Sequence, residues 1–171
     1  MVTAVHKSNV LKLTDGLFLK SAEKIAKEYP AFGFDSRVID ALSMELVIKP
    51  EAFDCLVLPN LYGDIISDLA AGLVGGLGVA PGANIGTDCA MFEAVHGSAP
   101  DIAGKDMANP MALILSVVMM LRYIGEGNAA DRIEAALTAV LQDGKQVTRD
   151  LGGNTGTRGM TAAIIAQLKK N

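Results

Sequence analysis

The sequence predicts an α/β fold with mostly parallel strands, and three observations support this prediction. Short strand-like runs alternate with helical patterns through the first half of the chain. The run "CLVLP" (55–59) is continuously apolar, which is typical of a strand buried on both faces. Half of the 171 residues are apolar and a fifth are charged, as in an ordinary soluble globular protein.

The first half contains strands and helices in alternation. "VTAVH" (2–6) predicts a strand, and Thr14 or Asp15 can cap the helix after it. A second strand is expected to end near Ile39, where a second helix begins, and an acidic helix follows from about Leu61. The first helix has one approximately apolar face, formed by Leu17, Ala22, Ile25, Ala26 and Tyr29.

The second half is richer in loops and helices. "GGLGVAPGANIG" (75–86) predicts a loop or crossover because it holds many glycines and a proline. "CAMFEAVHG" (89–97) reads as another strand, and "SAPDIAGKDMANP" (98–110) as a long polar loop of the kind that often carries function. Three helices are expected at 110–125, 128–143 and 158–169, the last two separated by "DLGGNTGTRG" (150–159).

Composition argues against several classes of protein. The net charge is −4 and no block of Lys or Arg occurs, so a nucleic-acid partner is not expected. The longest apolar run, "MALILSVVMML" (111–121), is too short to cross a bilayer and predicts a buried helix. Cys55 and Cys89 have no paired spacing, which favours reduced thiols in a cytosolic or matrix compartment over a disulfide or zinc site.

An acidic pair is the first candidate for chemistry. Asp64 and Asp68 in "YGDIISD" lie four residues apart, on one face of the expected helix, where like charges repel. Mg²⁺ or Mn²⁺ would turn that repulsion into shared attraction, because both prefer carboxylate oxygens. A solvated helix face is the alternative, although nothing ionisable lies between Asp68 and Asp88.

Single residues elsewhere are ambiguous by themselves. Lys7 directly follows a strand, where the active sites of open α/β sheets collect, but it could be an ordinary surface lysine. Asp40 could cap the second helix. His96 could be a core histidine or a ligand contact. The glycine-rich segments match neither GxGxxG nor GxxxxGK[ST], so a dinucleotide would have to bind by another device.

Four blocks in order are more specific than their parts: "VTAVHKSNVLKLTDGLFL", "NLYGDIISDL", "GGLGVAPGANIG" and "EAVHGSAPDIAGKDMANP". Together they closely resemble the β-decarboxylating dehydrogenases, which act on isocitrate, isopropylmalate, homoisocitrate or tartrate. The resemblance covers essentially the whole chain but only the C-terminal half of the family's length. It implies a partial isopropylmalate dehydrogenase-like α/β fold, with residues 1–75 from the small domain and 76–171 from the large domain.

The resemblance also implies roles for the ambiguous residues. Asp64 and Asp68 would hold Mg²⁺ or Mn²⁺, and Asp40 would reach the same metal from a partner subunit. Lys7, also given across the dimer, would transfer a proton at the hydroxyl carbon, and Asn9 would lie near the nicotinamide. The chain is therefore expected to form a homo-oligomer whose subunits share site residues.

The loop "HGSAPDI" resembles the family's adenosine-binding segment. The implied cofactor residues are His96, Gly97, Ser98, Ala99, Pro100, Asp101, Ile102 and Asn109. An acidic residue at position 101 can bind a ribose 2′-hydroxyl and repel a 2′-phosphate, which points to NAD. Relatives that use NADP tend to carry Lys-Tyr where this chain has Asp101 and Ile102.

The expected activity is NAD-dependent oxidative decarboxylation of a 2-hydroxy tricarboxylic acid, isocitrate, to 2-oxoglutarate. Homoisocitrate or isopropylmalate as substrate is an alternative, and so is a non-catalytic dimerisation fragment. The chain lacks the family's substrate-reading Ser/Asn loop, its clamping arginines and its general-acid tyrosine, so we expect a truncated chain with little or no turnover. Bacterial cytoplasm or the mitochondrial matrix is the expected compartment.

Overall fold

The computed structural model describes residues 1–170. Their fold is mixed α/β, as predicted, and the chain divides into two compact units, one of residues 1–73 and one that starts at residue 74. This division lies close to the predicted boundary at residue 75. The assignment of the two units to a small and a large domain stays a prediction.

The first unit is built on a three-stranded parallel sheet with strand order β2-β1-β3. Its buried core contains Val5, Leu42, Leu46 and Ile66. The strands are β1 (Val2–His6), β2 (Phe34–Val38) and β3 (Cys55–Val57). The helices are α1 (Thr14–Ala26), α2 (Ile39–Ile48) and α3 (Asn60–Leu73). These bounds agree closely with the predicted order of strands and helices.

The prediction that the strand at 55–59 is buried on both faces is wrong. Leu56 of β3 packs against the core, whereas Cys55 and Val57, which point to the opposite face of the sheet, are exposed. The apolar face of α1 is also uncovered, with Leu17, Ile25 and Tyr29 each more than half exposed. That face lines an open apolar groove of about 410 Å³ beside the sheet.

The second unit combines an antiparallel hairpin with three helices. Its strands are β4 (Pro81–Ile85) and β5 (Ala90–Ala94), and its helices are α4 (Met111–Tyr123), α5 (Gly127–Asp143) and α6 (Thr157–Leu168). The core lies where the three helices meet, around Met111, Leu137 and Met160. The buried Ser116 hydroxyl of α4 donates to the Glu93 carbonyl at 2.8 Å and thereby ties the hairpin to the helix.

The prediction of a loop through residues 75–86 is wrong for its second part, where β4 forms. Backbone pairing with β5 overrides the weak strand propensity of glycine, proline and asparagine there. The run 111–121 is helical as predicted, although one side of α4, including Leu113, is exposed. None of the helices within residues 1–170 has the length and apolarity that a bilayer span requires.

Candidate functional site

Lys7 and Asp40 form an ion pair at one edge of the parallel sheet. Lys7 follows the end of β1, and Asp40 lies in the first turn of α2, directly after β2. Adjacent parallel strands end at the same edge, so the two side chains meet there, with Lys7 Nζ 2.5 Å from Asp40 Oδ1. The alternative that Asp40 serves only as a helix cap is wrong, because its carboxylate binds Lys7.

The ion pair keeps Asp40 charged. The hydrogen bond from Lys7, followed by one from the backbone N–H of Asp40, holds the pKa of the Asp40 carboxyl below its ordinary value. Asp40 is largely exposed and Lys7 about a quarter exposed, so both groups are open to exchange of partners. An anionic substrate could therefore compete for Lys7, and a divalent metal for Asp40.

A buried carboxylate, Asp15, positions the backbone of Lys7. Asp15 Oδ2 accepts the Lys7 backbone N–H at 2.7 Å, and Asp15 is only 7% exposed. The prediction that Thr14 or Asp15 caps α1 is wrong, because no side chain caps this helix. Desolvation, and next a hydrogen bond to Asp15, raise the pKa of the Tyr62 phenol in α3. The role of Asp15 in holding the Lys7 backbone was not predicted from the sequence, since a short polar residue at the start of a helix is normally a cap.

The two aspartates of the acidic helix lie one turn apart on α3. Asp64 and Asp68 are both exposed, whereas Ile66 of the same helix packs into the core. Two carboxylates one turn apart suit Mg²⁺ or Mn²⁺, which bind hard oxygen donors and keep several waters. Within residues 1–170, no three His, Cys, Asp or Glu side chains are grouped closely enough to hold a metal. A complete site would therefore need ligands beyond Asp64 and Asp68.

Asn9 lies in the turn that follows Lys7, and its side chain is exposed. The Lys7 carbonyl accepts the backbone N–H groups of Val10 and Leu11, at 2.9 and 2.8 Å, and this closes the turn. The turn thus presents Asn9 to solvent two residues after Lys7.

The second unit contains an open cavity of about 920 Å³. Six of the predicted cofactor residues line it: His96, Gly97, Ser98, Ala99, Ile102 and Asn109. Pro100 and Asp101 are exposed and do not line the cavity, although both belong to the short helical turn Pro100–Ile102 at its margin. The structure therefore brings most of the "HGSAPDI" loop and Asn109 to one cavity.

Asn109 is held in place by two hydrogen bonds. Its Nδ2 donates to Asp150 Oδ2 at 2.8 Å, and its Oδ1 accepts the Met111 backbone N–H at 2.9 Å. Desolvation raises the pKa of Asp150, but hydrogen bonds from Thr148, Asn109 and the backbone outweigh it, so the pKa lies below its ordinary value. An ionised Asp150 thus fixes the orientation of the Asn109 amide.

Several cavity residues were not predicted from the sequence. They are Leu77, Gly78, Ala103, Gly104, Lys105, Asp106, Met107, Ala108, Arg149, Asp150, Thr157 and Arg158. The segment 149–158 contributes four of them, and it overlaps the glycine-rich run that the sequence marked only as a separator. In the structure, Gly153 and Gly156 leave no room for a Cβ: it would lie 2.0 Å from the Val147 carbonyl oxygen and 2.5 Å from Asp106 Oδ2, respectively. The glycine-rich composition of the run does not by itself show this close packing.

The charges around the cavity are mixed. Lys105, Arg149 and Arg158 supply cations, and Asp106 and Asp150 supply carboxylates. Both carboxylates accept hydrogen bonds within the unit. Such a lining, in which charged groups occur together with apolar side chains such as Leu77, Ile102 and Met107, fits a ligand that carries both a flat apolar ring and charged groups.

Comparison with known proteins shows a match along nearly the whole chain. The family model described as isocitrate/isopropylmalate dehydrogenase matches residues 1–165. The alpha subunit of mitochondrial NAD isocitrate dehydrogenase from Macaca fascicularis is 53% identical over 98% of this chain and 49% of its own length. An isocitrate/homoisocitrate dehydrogenase from Thermus thermophilus is 55% identical over 96% of this chain and 49% of its own length.

Solved structures give the same result. The crystal structure of isocitrate dehydrogenase from Methylococcus capsulatus superposes with a TM-score of 0.91 at 58% identity, covering 98% of this chain and 50% of that one. A β-decarboxylating dehydrogenase from Thermococcus kodakarensis gives a TM-score of 0.82 at 38% identity, covering 99% of this chain and 50% of that one. The chain thus spans about half the length of these relatives, and it belongs to the isocitrate/isopropylmalate dehydrogenase family.

Proposed function

We propose that this chain is the C-terminal half of an NAD-dependent dehydrogenase that oxidises isocitrate and releases CO₂ to give 2-oxoglutarate. The observation that carries the proposal is the Lys7–Asp40 pair at the carboxyl edge of the sheet. Lys7 of this pair is the kind of group that can act in general acid–base catalysis, which the reaction needs beside its substrate. Family membership and relatives named as NAD isocitrate dehydrogenases support the same reaction.

Each residue of the first unit has a task in this proposal. Lys7 would serve in proton transfer at the hydroxyl carbon of the substrate, and NAD, when bound, would supply the hydride acceptor. Asp40 orients the Lys7 ammonium through their ion pair, and Asp15 fixes the Lys7 backbone. Asn9 would lie near the nicotinamide end of the cofactor.

Asp64 and Asp68 fit a divalent metal by their donor chemistry and their spacing on α3. When bound, Mg²⁺ or Mn²⁺ would polarise the substrate hydroxyl and stabilise negative charge as CO₂ leaves. We infer that Asp40 of a second subunit completes the ligand set. Asp64 and Asp68 by themselves supply fewer ligands than such a metal takes, and the family resemblance assigns the further carboxylate to Asp40. The protein would then be a homo-oligomer with shared sites.

The cavity of the second unit is proposed to bind the adenosine end of NAD. Asn109, oriented by Asp150, offers an amide to the adenine ring. Asp101, at the margin, would accept hydrogen bonds from the ribose 2′-hydroxyl and repel a 2′-phosphate. The mitochondrial name of one group of relatives supports the matrix as the compartment, with bacterial cytoplasm as the alternative.

Nucleotide binding tests the cofactor part of the proposal. Calorimetric titration of the chain with ADP-ribose should show binding, and titration with 2′-phospho-ADP-ribose should show an affinity weaker by about tenfold or more, because Asp101 repels the phosphate. The double variant D101K/I102Y should reverse this preference, and D88K serves as a control of equal charge change. Equal binding of both ligands, unchanged in D101K/I102Y, would contradict the proposal.

The substrate could also be homoisocitrate, which the name of the Thermus thermophilus relative favours. Isopropylmalate is less favoured by the sequence blocks "TDGLFL" and "NLYGD". A non-catalytic dimerisation fragment is the remaining alternative. It would share the fold but would show no specific response to ADP-ribose.

A further inference from the structure

Asp106 lies where the 98–110 loop meets the first turn of α6. Its carbonyl oxygen accepts the Thr157 backbone N–H at 3.2 Å, and its Oδ1 accepts the Arg158 backbone N–H at 2.8 Å. The Thr157 hydroxyl donates in return to the Ala108 carbonyl at 2.5 Å. Three hydrogen bonds therefore join residues 106–108 to the start of a helix about fifty positions along the chain.

The carboxylate of Asp106 replaces a missing helix cap. The residue before α6 is Gly156, which has no side chain and cannot satisfy the first N–H groups of the helix. Asp106 supplies the acceptor from a distant part of the chain, and its negative charge suits the positive end of the helix dipole. The first turn of α6 is thus stabilised by the same residue that shapes the loop.

The backbone at Asp106 is unusual in two respects. Its φ of +54° lies in the left-handed region, which aspartate and asparagine adopt more readily than most other side chains. A Cβ on Gly156 would lie 2.5 Å from Asp106 Oδ2 and 2.6 Å from its carbonyl oxygen, so the two segments approach too closely for any side chain there. Loop and helix are therefore fitted to each other at one point.

We propose that Asp106 is the positioning residue of the cavity. Its carboxylate and left-handed backbone hold residues 106–109 against α6 and so place Asn109 and Arg158 on the cavity wall. Both of these residues line the cavity. That Asp106 joins the loop to α6 rests on the hydrogen bonds alone. That this joining matters for binding the adenosine end of NAD rests on the proposed function.

Three variants separate the two properties of Asp106. D106N keeps an oxygen acceptor and tolerates the left-handed backbone, so it should keep both the hydrogen bond to Arg158 and the loop conformation. D106G keeps the backbone geometry but loses the cap, and D106A loses both. D88N removes an exposed carboxylate elsewhere in the same unit and serves as the matched control.

Amide hydrogen exchange tests the hydrogen bonds without any ligand. In the 171-residue chain, the Arg158 amide should exchange about tenfold faster in D106G and D106A, because a cap is worth roughly a factor of that size. D106N and D88N should stay near the unmutated rate. Unchanged Arg158 exchange in both D106G and D106A would overturn the proposal.

ADP-ribose titration tests the consequence for binding. D106A should weaken the affinity by roughly tenfold, while D106N should stay within about threefold. Faster exchange in D106A with unaltered ADP-ribose affinity would contradict a positioning role. If the unmutated chain does not bind ADP-ribose, the proposed adenosine function fails together with the ligand part of this inference. The exchange result would still decide whether Asp106 joins the two segments.

Discussion

The buried carboxylate of Asp15 accepts the backbone N–H of Lys7 at 2.7 Å. Among the residues of α1, all of which the structure describes, Asp15 alone is buried, while the apolar face of that helix stays open. α1 is therefore held to the end of β1 partly by the hydrogen bond from the Lys7 backbone N–H to the Asp15 carboxylate. Lys7 is the residue that we propose as catalytic. The position of Lys7 and the stability of the first unit depend on the same contact.

Removing this contact should destabilise the first unit. We expect D15A to lower the free energy of unfolding by about 1.5–3 kcal/mol, the range for a hydrogen bond to a charged group. D15N should cost less, because its amide oxygen can still accept the Lys7 N–H. Urea unfolding monitors the change, with E23Q, on the exposed side of α1, as the control. Equal stability of D15A and E23Q would show that the contact is unimportant.

Replacing Lys7 should change the titration of Asp40. The pKa of Asp40 is below its ordinary value in the folded chain, so ionised Asp40 stabilises the fold above its unfolded pKa. That stabilisation is lost as the pH falls through the folded pKa. In K7M the pKa of Asp40 should rise toward 3.8, its ordinary value. Carboxyl-carbon NMR against pH measures the pKa, with K12M as control, and an unmoved Asp40 titration would contradict the ion pair.

Asp150 should respond in the same direction to loss of Asn109. Its hydrogen bonds lower the pKa, so the ionised form stabilises the fold at neutral pH, and this contribution disappears as the pH falls through the folded pKa. N109A removes the 2.8 Å donor, and the pKa of Asp150 should rise. NMR titration of both proteins provides the comparison, and N84A, outside the cavity, is the matched control. A pKa in N109A that stays equal to the control's would rule out this donor.

Two glycines should respond oppositely to alanine. At Gly153 a Cβ would lie 2.0 Å from the Val147 carbonyl oxygen, so G153A must displace backbone and should cost more than about 2 kcal/mol. At Gly16, within α1, nothing lies within 4 Å, and G16A should stabilise by roughly 0.5–1 kcal/mol through helix propensity. Thermal and urea unfolding of the two variants measure the change in the free energy of unfolding, which should be a loss for G153A and a gain for G16A. A G153A variant as stable as the unmutated chain would disprove the close approach.

Local pattern was sufficient for the order of the elements. The strand at 2–6, the helix after Val38 and the three final helices were predicted within a few residues, because their apolar spacing is regular. Burial was harder to predict. One face of β3 is exposed although the strand is apolar, since the cover over each face depends on how distant elements pack, and a short run such as "CLVLP" does not specify that.

Only those residues of the candidate site that belong to recognisable sequence motifs could be predicted from the sequence. Lys7, Asp40 and the "HGSAPDI" loop came from the resemblance, and the structure brings Lys7 to Asp40 and most of the loop to one cavity. Asp15, Asp106 and the 149–158 segment were missed because their roles arise from contacts between residues distant in sequence. A left-handed aspartate and a glycine without room for a Cβ become visible only in three dimensions.

The central claim is that Asp64 and Asp68, joined by Asp40 of a second copy, hold the divalent metal of a dehydrogenase site. Manganese binding tests this claim most directly. The chain should bind Mn²⁺ through Asp64 and Asp68, with an affinity that rises with chain concentration as Asp40 of a second copy joins. D64N and D68N should each weaken binding by at least about tenfold, and E51Q, which removes an exposed carboxylate in the same unit, should not. Isothermal titration calorimetry over a range of chain concentrations gives the result. Mn²⁺ isotherms that are the same for D64N, D68N and the unmutated chain would contradict the account.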